Sequence, residues 1–373
     1  MTKKKLLYLV TEDWYFVSHR LALAEAARDA GYDVTVVTNV AKHGGVIRNA
    51  GLKLIPADFD RSGLNPRRDS ATIAKLAAIY RREKPDVVHH VAIKPVLYGA
   101  IAARAAKVAR VVNAIMGLGY VFTSESAKAQ MLRPAVRLAL RAALSAKSSR
   151  VIVQNRDDRA QLIKSGLADA GSIRLIRGSG VDVSSYATIP PPAGRPRVVL
   201  PARLLRDKGV VEFVEAARLL SRDGVDAEFV LAGAPDPLNP ASLSASEIAT
   251  FVREGVVTDL GWRDDMASVF AEATIVCLPS YREGLPKALL EAAASGRVIV
   301  TTDVPGCREI VQHNVNGLLV PARNAHALAA ALHRLIADPV LCARLAAAGR
   351  RVVEAEFSLP RIIAETLAVY SEL

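Results

Sequence analysis

The sequence lacks the features that mark secreted, metal-binding and membrane-spanning proteins. Its three cysteines, Cys277, Cys307 and Cys342, are spaced for neither a disulfide framework nor a metal site, so a reducing cytoplasm is expected. No apolar run approaches the roughly 18 residues that a membrane-spanning helix needs. The basic start is followed by only a short apolar run, residues 6–10, which predicts a first buried strand and not a signal peptide.

Two further binding signatures are missing. The loop after the first apolar run, residues 11–20, has no Gly-x-Gly-x-x-Gly, the pattern that brings the backbone of a dinucleotide-dependent dehydrogenase close to a pyrophosphate. The first half of the chain contains neither a zinc-finger pattern nor an RNA-recognition signature. These absences argue against an oxidoreductase and against a nucleic-acid partner.

The whole chain has a formal net charge of +12, and its positive charge is concentrated in the first half. Residues 1–190 hold 30 Lys and Arg against 15 Asp and Glu, whereas residues 191–373 hold 19 against 22. An excess of this size predicts a negatively charged partner for the first half. An anionic membrane surface is the better candidate, because no nucleic-acid module is present.

The length and the pattern of apolar runs predict two α/β domains. With 373 residues, 51% of them hydrophobic, the chain can bury two substantial cores. In the first half, short β-branched runs alternate with helical segments such as 19–29 and 72–82. The strand-like runs are residues 6–10, 34–38, 87–88, 111–114 and 151–154. This alternation is typical of a doubly wound parallel sheet, which binds ligands at the carboxyl ends of its strands.

The strongest functional pattern is residues 280–296, Ser-Tyr-Arg-Glu-Gly-Leu-Pro-Lys-Ala-Leu-Leu-Glu-Ala-Ala-Ala-Ser-Gly. It follows a buried-strand pattern, and it has Pro286 where the first turn of a helix accepts proline and Gly296 where the helix would end. Unpaired N–H groups at such a helix start favour a phosphate or diphosphate. Glu283 and Glu291 could accept hydrogen bonds from sugar hydroxyls. An alternative stays open, in which Lys287 and Glu291 simply pair on a solvated helix face.

The pattern Glu-Gly-Leu-Pro-x-x-x-Leu-Glu-Ala-x-Ala-x-Gly resembles the nucleotide-sugar signature of the retaining family-4 glycosyltransferases. Residues 178–182, Gly-Ser-Gly-Val-Asp, resemble the element that leads into the interdomain crossing of the same family. The resemblance covers nearly the whole chain and implies the GT-B fold, two Rossmann-like doubly wound domains facing across a cleft. The implied domains are an acceptor- and membrane-facing domain at 1–188, a nucleotide-sugar-binding domain at 189–356, and a helix at 357–373 that packs back on the first domain.

The resemblance assigns the donor site to the second domain. A guanidinium fork and an ammonium group suit a diphosphate, so Arg203 and Lys208 would clamp it; as mere surface cations they would be unfavourable at a helix start. Glu283 would hold sugar hydroxyls and Glu291 the ribose. The implied catalytic residues are Arg203, Lys208 and Glu283. The implied donor-binding set adds Trp262 and Arg263 near the base, with Gly284, Leu285, Pro286 and Glu291.

The acceptor is expected on the first domain. Ser18-His19-Arg20 resembles a helix start in bacterial polysaccharide members of the family, although Ser18 also suits a plain N-cap. Lys94 would contact acceptor phosphates, and Met116 stands where many relatives have histidine. The turn at 117–119 and residues 61–66 resemble a subgroup that extends polyprenyl-diphosphate-linked sugars. The implied acceptor-side residues are Ser18, His19, Arg20, His90, Lys94, Gly117 and Gly119.

A helix predicted at 132–144 spaces Arg133, Arg137 and Arg141 four residues apart beside an apolar stripe. One interpretation is an interfacial helix that rests on anionic lipid through this stripe and the three arginines, which agrees with the charge of the first half. The other is an ordinary amphipathic helix with a solvated basic edge.

The resemblance therefore implies a retaining glycosyltransferase, and no metal or other cofactor is expected. It would move a sugar from a nucleotide donor to a polyprenyl-diphosphate-linked sugar in bacterial surface-glycan assembly, at the inner face of the cytoplasmic membrane. The resemblances at 18–20 and 117–119 favour a UDP-sugar, with an N-acetylhexosamine as the sugar. The alternatives are a GT-B sugar-nucleotide epimerase, a glycosyltransferase with a soluble acceptor, and an inactive membrane-bound binding module.

Overall fold

The protein divides into two compact units in a computed structural model that describes residues 3–59, 66–117, 127–145 and 148–373. The first unit is Met1–Ser179 with Ile363–Leu373, and the second is Gly180–Ile362. The division comes earlier than the sequence predicts, because Val181 pairs with Ser358 and its N–H donates to the carbonyl of Phe357 within the second unit. Each unit has one parallel sheet with helices around it, so the predicted α/β class is confirmed.

The first unit is built on a seven-stranded sheet of order β3-β2-β1-β4-β5-β6-β7. Its strands are β1 (Lys5–Glu12), β2 (Asp33–Asn39), β3 (Lys53–Pro56), β4 (Val87–Val91), β5 (Arg110–Ile115), β6 (Ser149–Val153) and β7 (Ile173–Leu175). Its described helices before residue 179 are α1 (Asp13–His19), α2 (Leu21–Asp29), α3 (Gly44–Asn49), α4 (Pro66–Glu83), α5 (Ile93–Ala106), α6 (Ala127–Leu144) and α7 (Arg156–Lys164).

The second unit is built on a six-stranded sheet of order β10-β9-β8-β11-β12-β13. Its strands are β8 (Arg197–Pro201), β9 (Glu228–Ala232), β10 (Thr258–Asp259), β11 (Ile275–Leu278), β12 (Val298–Thr302) and β13 (Leu318–Val320). Its helices are α8 (Val210–Arg222), α9 (Ala245–Arg253), α10 (Met266–Ala271), α11 (Lys287–Ala294), α12 (Cys307–Ile310), α13 (Ala325–Ala337) and α14 (Pro339–Glu356). The last helix, α15 (Leu359–Ser371), belongs to the second unit up to Ile362 and to the first unit from Ile363.

The register of the central strands decides which side chains meet at the carboxyl edge of the first sheet. Tyr8 of β1 lies beside His89 of β4, and His90 lies beside Asn113 of β5. All five residues of β4 are buried, since helices cover both faces of a parallel sheet. Polar groups on these strands must therefore find partners inside the unit.

Within residues 3–59, 66–117, 127–145 and 148–373, no helix is long and apolar enough to cross a membrane.

Candidate active site

The segment between β11 and α11 adopts the strand, turn and helix that the sequence predicts. Helix α11 begins at Lys287, one residue later than expected, because Pro286 has extended backbone angles (φ −73°, ψ 111°) and occupies the N-cap position. Gly296 follows the helix with φ +67°, a conformation that favours glycine, and its N–H donates to the carbonyl of Ala293. The N–H groups of the first helical turn thus lie directly after the Glu283-Gly284 segment.

Lys208 and Glu283 lie in direct contact at the ends of β8 and β11. Lys208 Nζ is 2.5 Å from Glu283 Oε1, and the Ser280 hydroxyl donates to the same oxygen at 2.7 Å. Gly209, which follows Lys208, has φ +72°, and a Cβ there would lie 2.1 Å from the carbonyl oxygen of Pro279. Glycine is therefore required for the two loops to approach this closely, and the approach places the ammonium group on the carboxylate.

Arg203 lies against a carboxylate that the sequence analysis missed. Its Nη1 donates to Asp236 Oδ2 at 2.6 Å, and Asp236 follows the end of β9. Gly233 keeps the two strand ends together, because a Cβ at this position would lie 1.9 Å from the carbonyl oxygen of Ala202. Asp236 could have been found by asking which carboxylates follow the strands that neighbour β8.

Glu291 has two partners in the structure. Lys287 Nζ lies 3.1 Å from its Oε1, so the pairing expected for residues four apart on a helix is present. Glu291 also accepts a hydrogen bond from Tyr186, whose pKa is raised first by burial and then by the Glu291 charge, so the phenol keeps its proton. The side chain of Glu291 is 13% exposed, which places this carboxylate in a half-enclosed setting and not on an open helix face.

Trp262 and Arg263 lie in the loop before α10. Trp262 is 61% exposed, and its indole N–H donates to Asp264 at 2.8 Å. Arg263 forms an ion pair with Asp265 at 2.5 Å. An exposed indole face can stack on a nucleotide base, but the structure leaves the predicted role of these two residues untested.

Glu283 and Gly284 are fixed in place by a glycine from another loop. Gly306, between β12 and α12, has φ +81°, and a Cβ there would lie 2.4 Å from the carbonyl oxygen of Gly284. Leu285 is 9% exposed and packs into the apolar core beside α11. The turn that carries Glu283 therefore has little room to move.

The helix predicted to open at Ser18-His19-Arg20 begins later, because α2 starts at Leu21 with Arg20 at its N-cap. A separate helix that the sequence did not indicate, α1, starts at Asp13, so Ser18 and His19 lie in its last turn. Ser18 is exposed and does not cap α2, whereas Asp13 is fully buried. The Asp13 carboxylate accepts the N–H groups of Ala41 and His43, and such contacts between distant loops cannot be seen in the local sequence.

His90 lies in the core of the first unit and not at a ligand site. Its Nδ1 lies 2.9 Å from the Asn113 amide oxygen and its Nε2 lies 3.1 Å from the Tyr80 hydroxyl, so both ring nitrogens are occupied. Burial lowers the pKa of His90 to about 4, partly offset by the Asn113 hydrogen bond, and the ring is neutral at pH 7. The structure therefore does not support acceptor contact by His90.

Its neighbour His89 belongs to a different group of polar side chains. His89 Nδ1 lies 2.7 Å from the Tyr370 hydroxyl, which lies 2.8 Å from the Tyr8 hydroxyl. Arg20 is 5% exposed and donates to Met116 Sδ at 2.8 Å. No pattern in the sequence pairs Tyr370, near the end of the chain, with Tyr8 near its start.

The remaining acceptor-side predictions are only partly described. Lys94 lies in the first turn of α5, just beyond the end of β4, and Gly117 follows β5 with φ +104°. Gly119 and residues 61–65 lie outside the described residues. The structure therefore leaves these acceptor assignments as predictions.

The apolar stripe of α6, which the membrane interpretation places against lipid, is largely buried in the first unit. Leu140 and Ala143 are buried, and the partly buried Val136 packs against the same core. The predicted lipid contact through this stripe is therefore wrong. The side chain of Leu132, the fourth residue of the stripe, lies outside the described part of the structure. A second apolar face is exposed instead, with Met131 at 77% and Leu138 at 72%. The exposed basic residues Arg137 and Arg141 flank it, while Arg133 is half-buried.

The described part of the chain holds no group of three or more His, Cys, Asp or Glu side chains that could bind a metal ion. The three cysteines are unpaired and buried, and burial raises the pKa of Cys307 to about 12 and that of Cys342 to about 11. Lys208 supplies positive charge beside Glu283, and a cation in this position can stabilise an anionic leaving group.

Two family models match the chain. A model described as glycosyl transferase 4-like matches residues 5–155, and one described as glycosyl transferases group 1 matches residues 195–338. These ranges lie within the first and second units respectively.

Two similar enzymes cover most of the chain. One is N,N'-diacetylbacillosaminyl-diphospho-undecaprenol alpha-1,3-N-acetylgalactosaminyltransferase of Campylobacter jejuni, 28% identical over 88% of each chain. The other is UDP-Gal:alpha-D-GlcNAc-diphosphoundecaprenol alpha-1,3-galactosyltransferase of Escherichia coli, 27% identical over 74% of this chain and 72% of that enzyme.

Solved structures share the fold over its full length. HepE of Anabaena, in complex with UDP and glucose, superposes with a TM-score of 0.79 at 19% identity and 100% coverage of both chains. Sucrose-phosphate synthase of Thermosynechococcus elongatus superposes with a TM-score of 0.82 at 23% identity and 99% coverage of both.

Proposed function

The chain belongs to the family-4 glycosyltransferases of the GT-B fold, and on that premise we propose that it extends a polyprenyl-diphosphate-linked sugar from a nucleotide-sugar donor. Support for the acceptor comes from the two relatives, whose names both specify a sugar on diphosphoundecaprenol. Support for a UDP-sugar comes from the E. coli relative, named for UDP-galactose, and from the HepE complex with UDP. An N-acetylhexosamine agrees with the Campylobacter jejuni relative, which transfers N-acetylgalactosamine.

The observation that carries the proposal is the pair of cations at the strand ends of the second unit. Arg203 and Lys208 lie against Asp236 and Glu283. A donor diphosphate brings its own negative charge, so it can replace the resident carboxylates as the partner of each cation. Glu283, released from Lys208, is then available to accept hydrogen bonds from hydroxyl groups of the donor sugar.

The same cations act on the chemical step. The bond between the anomeric carbon and the diphosphate oxygen breaks, the acceptor hydroxyl oxygen bonds to that carbon, and the hydroxyl proton passes to the departing diphosphate. Negative charge grows on the diphosphate, and each well-placed donor contributes on the order of 3 kcal/mol to its stabilisation. The N–H groups at the start of α11 add to this charge stabilisation. Retention of the anomeric configuration is proposed from the resemblance to the retaining family. No metal ion is needed in this proposal, because the chain's own cations neutralise the leaving group.

The polyprenyl acceptor requires contact with a membrane. The exposed apolar residues of α6, Met131 and Leu138, together with Arg137 and Arg141, form a surface that fits an anionic bilayer, and we refer to these four residues as the α6 surface. The protein is therefore proposed to act at the cytoplasmic face of the membrane as a peripheral enzyme. The contact uses the face of α6 opposite to the stripe that the sequence favours.

The test is transfer by the purified full chain. UDP-, GDP-, ADP- and dTDP-sugars are each incubated with a short-chain polyprenyl-diphosphate N-acetylhexosamine, with EDTA present, and the lipid product is analysed by mass spectrometry and NMR. We expect product with a UDP-sugar, an α-linkage from an α-linked donor, and no loss of rate with EDTA. Conversion of the donor without acceptor would identify an epimerase, and transfer only to soluble sugars would refute the lipid-linked acceptor.

A further inference from the structure

Arg20 is a buried cation that no described carboxylate balances. It lies between α1 and α2, it is 5% exposed, and its Nη2 donates to the thioether of Met116 at 2.8 Å. Its Nη1 reaches the carbonyl oxygen of His19 at 3.4 Å, and its Nε has no hydrogen-bond partner. A thioether is a weak acceptor, so most of the donor capacity of this guanidinium is unused within the described residues.

The side chains around Arg20 do not supply the missing negative charge. The Arg20 charge acts on the hydroxyls of Tyr8, Tyr15 and Tyr370, each of which keeps its proton because burial raises its pKa. The nearby buried acid Asp13 is already occupied, since its two oxygens accept the N–H groups of Trp14, Ala41 and His43. A buried charge with neutral neighbours is costly to the fold unless hydrogen bonds or a counter-charge compensate it.

A second donor close to Arg20 is also unused. His89 is 1% exposed, burial and the Arg20 charge lower its pKa, and its Nε2 has no hydrogen-bond partner. When Tyr8 donates to Tyr370 and Tyr370 donates to His89 Nδ1, the ring carries its single proton on Nε2. Arg20 Nε and His89 Nε2 are then two buried N–H groups that lack acceptors in the same region of the first unit.

We propose that Arg20, assisted by His89, binds a phosphoryl group in the first unit, a site separate from the Arg203–Lys208 clamp. A guanidinium matches phosphate oxygens with paired hydrogen bonds, and a phosphoryl group would supply the negative charge that the described residues around Arg20 lack. The inference rests on the proposed function for the source of the phosphate. That source is the diphosphate of the polyprenyl acceptor.

The first experiment needs no substrate and compares two buried arginines. Arg297 in the second unit is 2% exposed and donates to the carbonyl oxygens of Phe270, Ala271 and Ile189, so its role is structural. We expect Arg20→Met to unfold in urea at the same or a higher midpoint than the wild type, and Arg297→Met to unfold at a lower midpoint. A clear fall in the midpoint of Arg20→Met would show that Arg20 supports the fold, and would overturn the proposal.

The second experiment measures anion binding with inorganic pyrophosphate on the full chain. Arg203→Ala with Lys208→Ala removes the clamp of the second unit, and the remaining binding is measured by calorimetry. Adding Arg20→Met is expected to weaken that binding at least tenfold, whereas adding Arg28→Met, which removes a half-buried arginine paired with Asp29, is expected to leave it unchanged. Equal binding with and without Arg20, or no binding to the clamp-deficient chain, would refute the site.

The third experiment identifies the source of the phosphate. Arg20→Met is expected to raise the KM for the polyprenyl-diphosphate substrate at least tenfold with donor Kd unchanged. A rise in donor Kd with an unchanged acceptor KM would overturn the acceptor as the source. Arg20→Lys should restore part of the loss, because it returns the charge without the paired geometry. No change in either constant would overturn the proposal. Should the wild type transfer no sugar at all, the proposed function fails, while the pyrophosphate result still decides whether the site exists.

Discussion

The two units balance charge differently at the carboxyl ends of their strands. In the second unit, both cations of the clamp lie against carboxylates, at 2.6 Å for Arg203 and 2.5 Å for Lys208. In the first unit, the phenols of Tyr8 and Tyr370 and the imidazole of His89 near Arg20 are neutral, and no described carboxylate pairs with Arg20. The second unit thus pairs both clamp cations with carboxylates. The first unit contains a buried cation, Arg20, that no described carboxylate pairs with.

Removing a clamp cation should produce the largest effect. Lys208→Ala or Arg203→Ala is expected to lower kcat of sugar transfer by about 100- to 1,000-fold, because each cation stabilises charge that develops on the departing diphosphate. Steady-state transfer assays measure the effect, and circular dichroism checks the fold. Arg206→Ala is the matched control, since Arg206 lies in the same turn but pairs with Glu247 on the exposed surface. Near-normal turnover in both clamp variants would show that Arg203 and Lys208 do not stabilise the departing diphosphate.

Acid should weaken the neutral network of the first unit. The unfolded chain protonates His90 near pH 6.5 and the folded chain only near 4, so the unfolded state binds more protons between these values and stability falls as pH falls through that window. The loss reaches about 3 kcal/mol. Urea unfolding is followed by Trp14 fluorescence in a Trp262→Phe background, which reports on the first unit. His90→Gln should show a shallower decline, and an unchanged pH slope in that variant would contradict the assignment.

The excess positive charge of the first unit should be measurable on membranes. Arg137→Gln with Arg141→Gln is expected to weaken binding to anionic vesicles about thirtyfold, since each cation near such a surface contributes about 1 kcal/mol. Vesicle flotation measures the change, with neutral phosphatidylcholine vesicles as the reference. Arg253→Gln, on an exposed helix of the second unit, should have no effect. If this control weakens binding as much as the pair does, the α6 surface is not the contact.

The smallest expected effect concerns the resident partner of Arg203. Asp236→Asn removes a carboxylate that competes with the donor diphosphate, so UDP should bind more tightly, by up to about fivefold, as expected for a half-exposed ion pair. Calorimetry with UDP measures the change, and Asp226→Asn, in an exposed ion pair with Arg195, is the control. Weaker UDP binding would mean that Asp236 orients Arg203 and does not compete for it.

The fold could be predicted because most of its central strands are buried on both faces. The five strand-like runs of the first half correspond to β1, β2, β4, β5 and β6. Short β-branched apolar runs are typical of strands that are buried on both faces of a parallel sheet. Strands β3 and β7 were missed because they are short and lie at the edges of the sheet, where half of their residues or more are partly exposed. Edge strands have a weaker apolar pattern, so they are harder to predict from the sequence.

The candidate site could be predicted only where its residues lie in one motif or follow neighbouring strands. The Glu283 turn and the start of α11 are local, and the expected helix differed by a single residue at Pro286. The role of His90 could not be predicted, because its partners Tyr80 and Asn113 reach it through a helix and another strand. The exposed face of α6 was assigned to the wrong side for a similar reason, since only the packed structure shows which apolar stripe the core uses.

The last helix has a practical consequence for anyone who handles this protein. Tyr370 bonds to Tyr8 and His89, and Glu372 forms ion pairs with Arg150 and Arg174, so the final residues are integral to the first sheet. Trimming the chain by even four residues from Leu373 would remove both sets of contacts. Affinity tags and fluorescent fusions therefore belong at the amino end, or behind a spacer long enough to leave these last residues undisturbed.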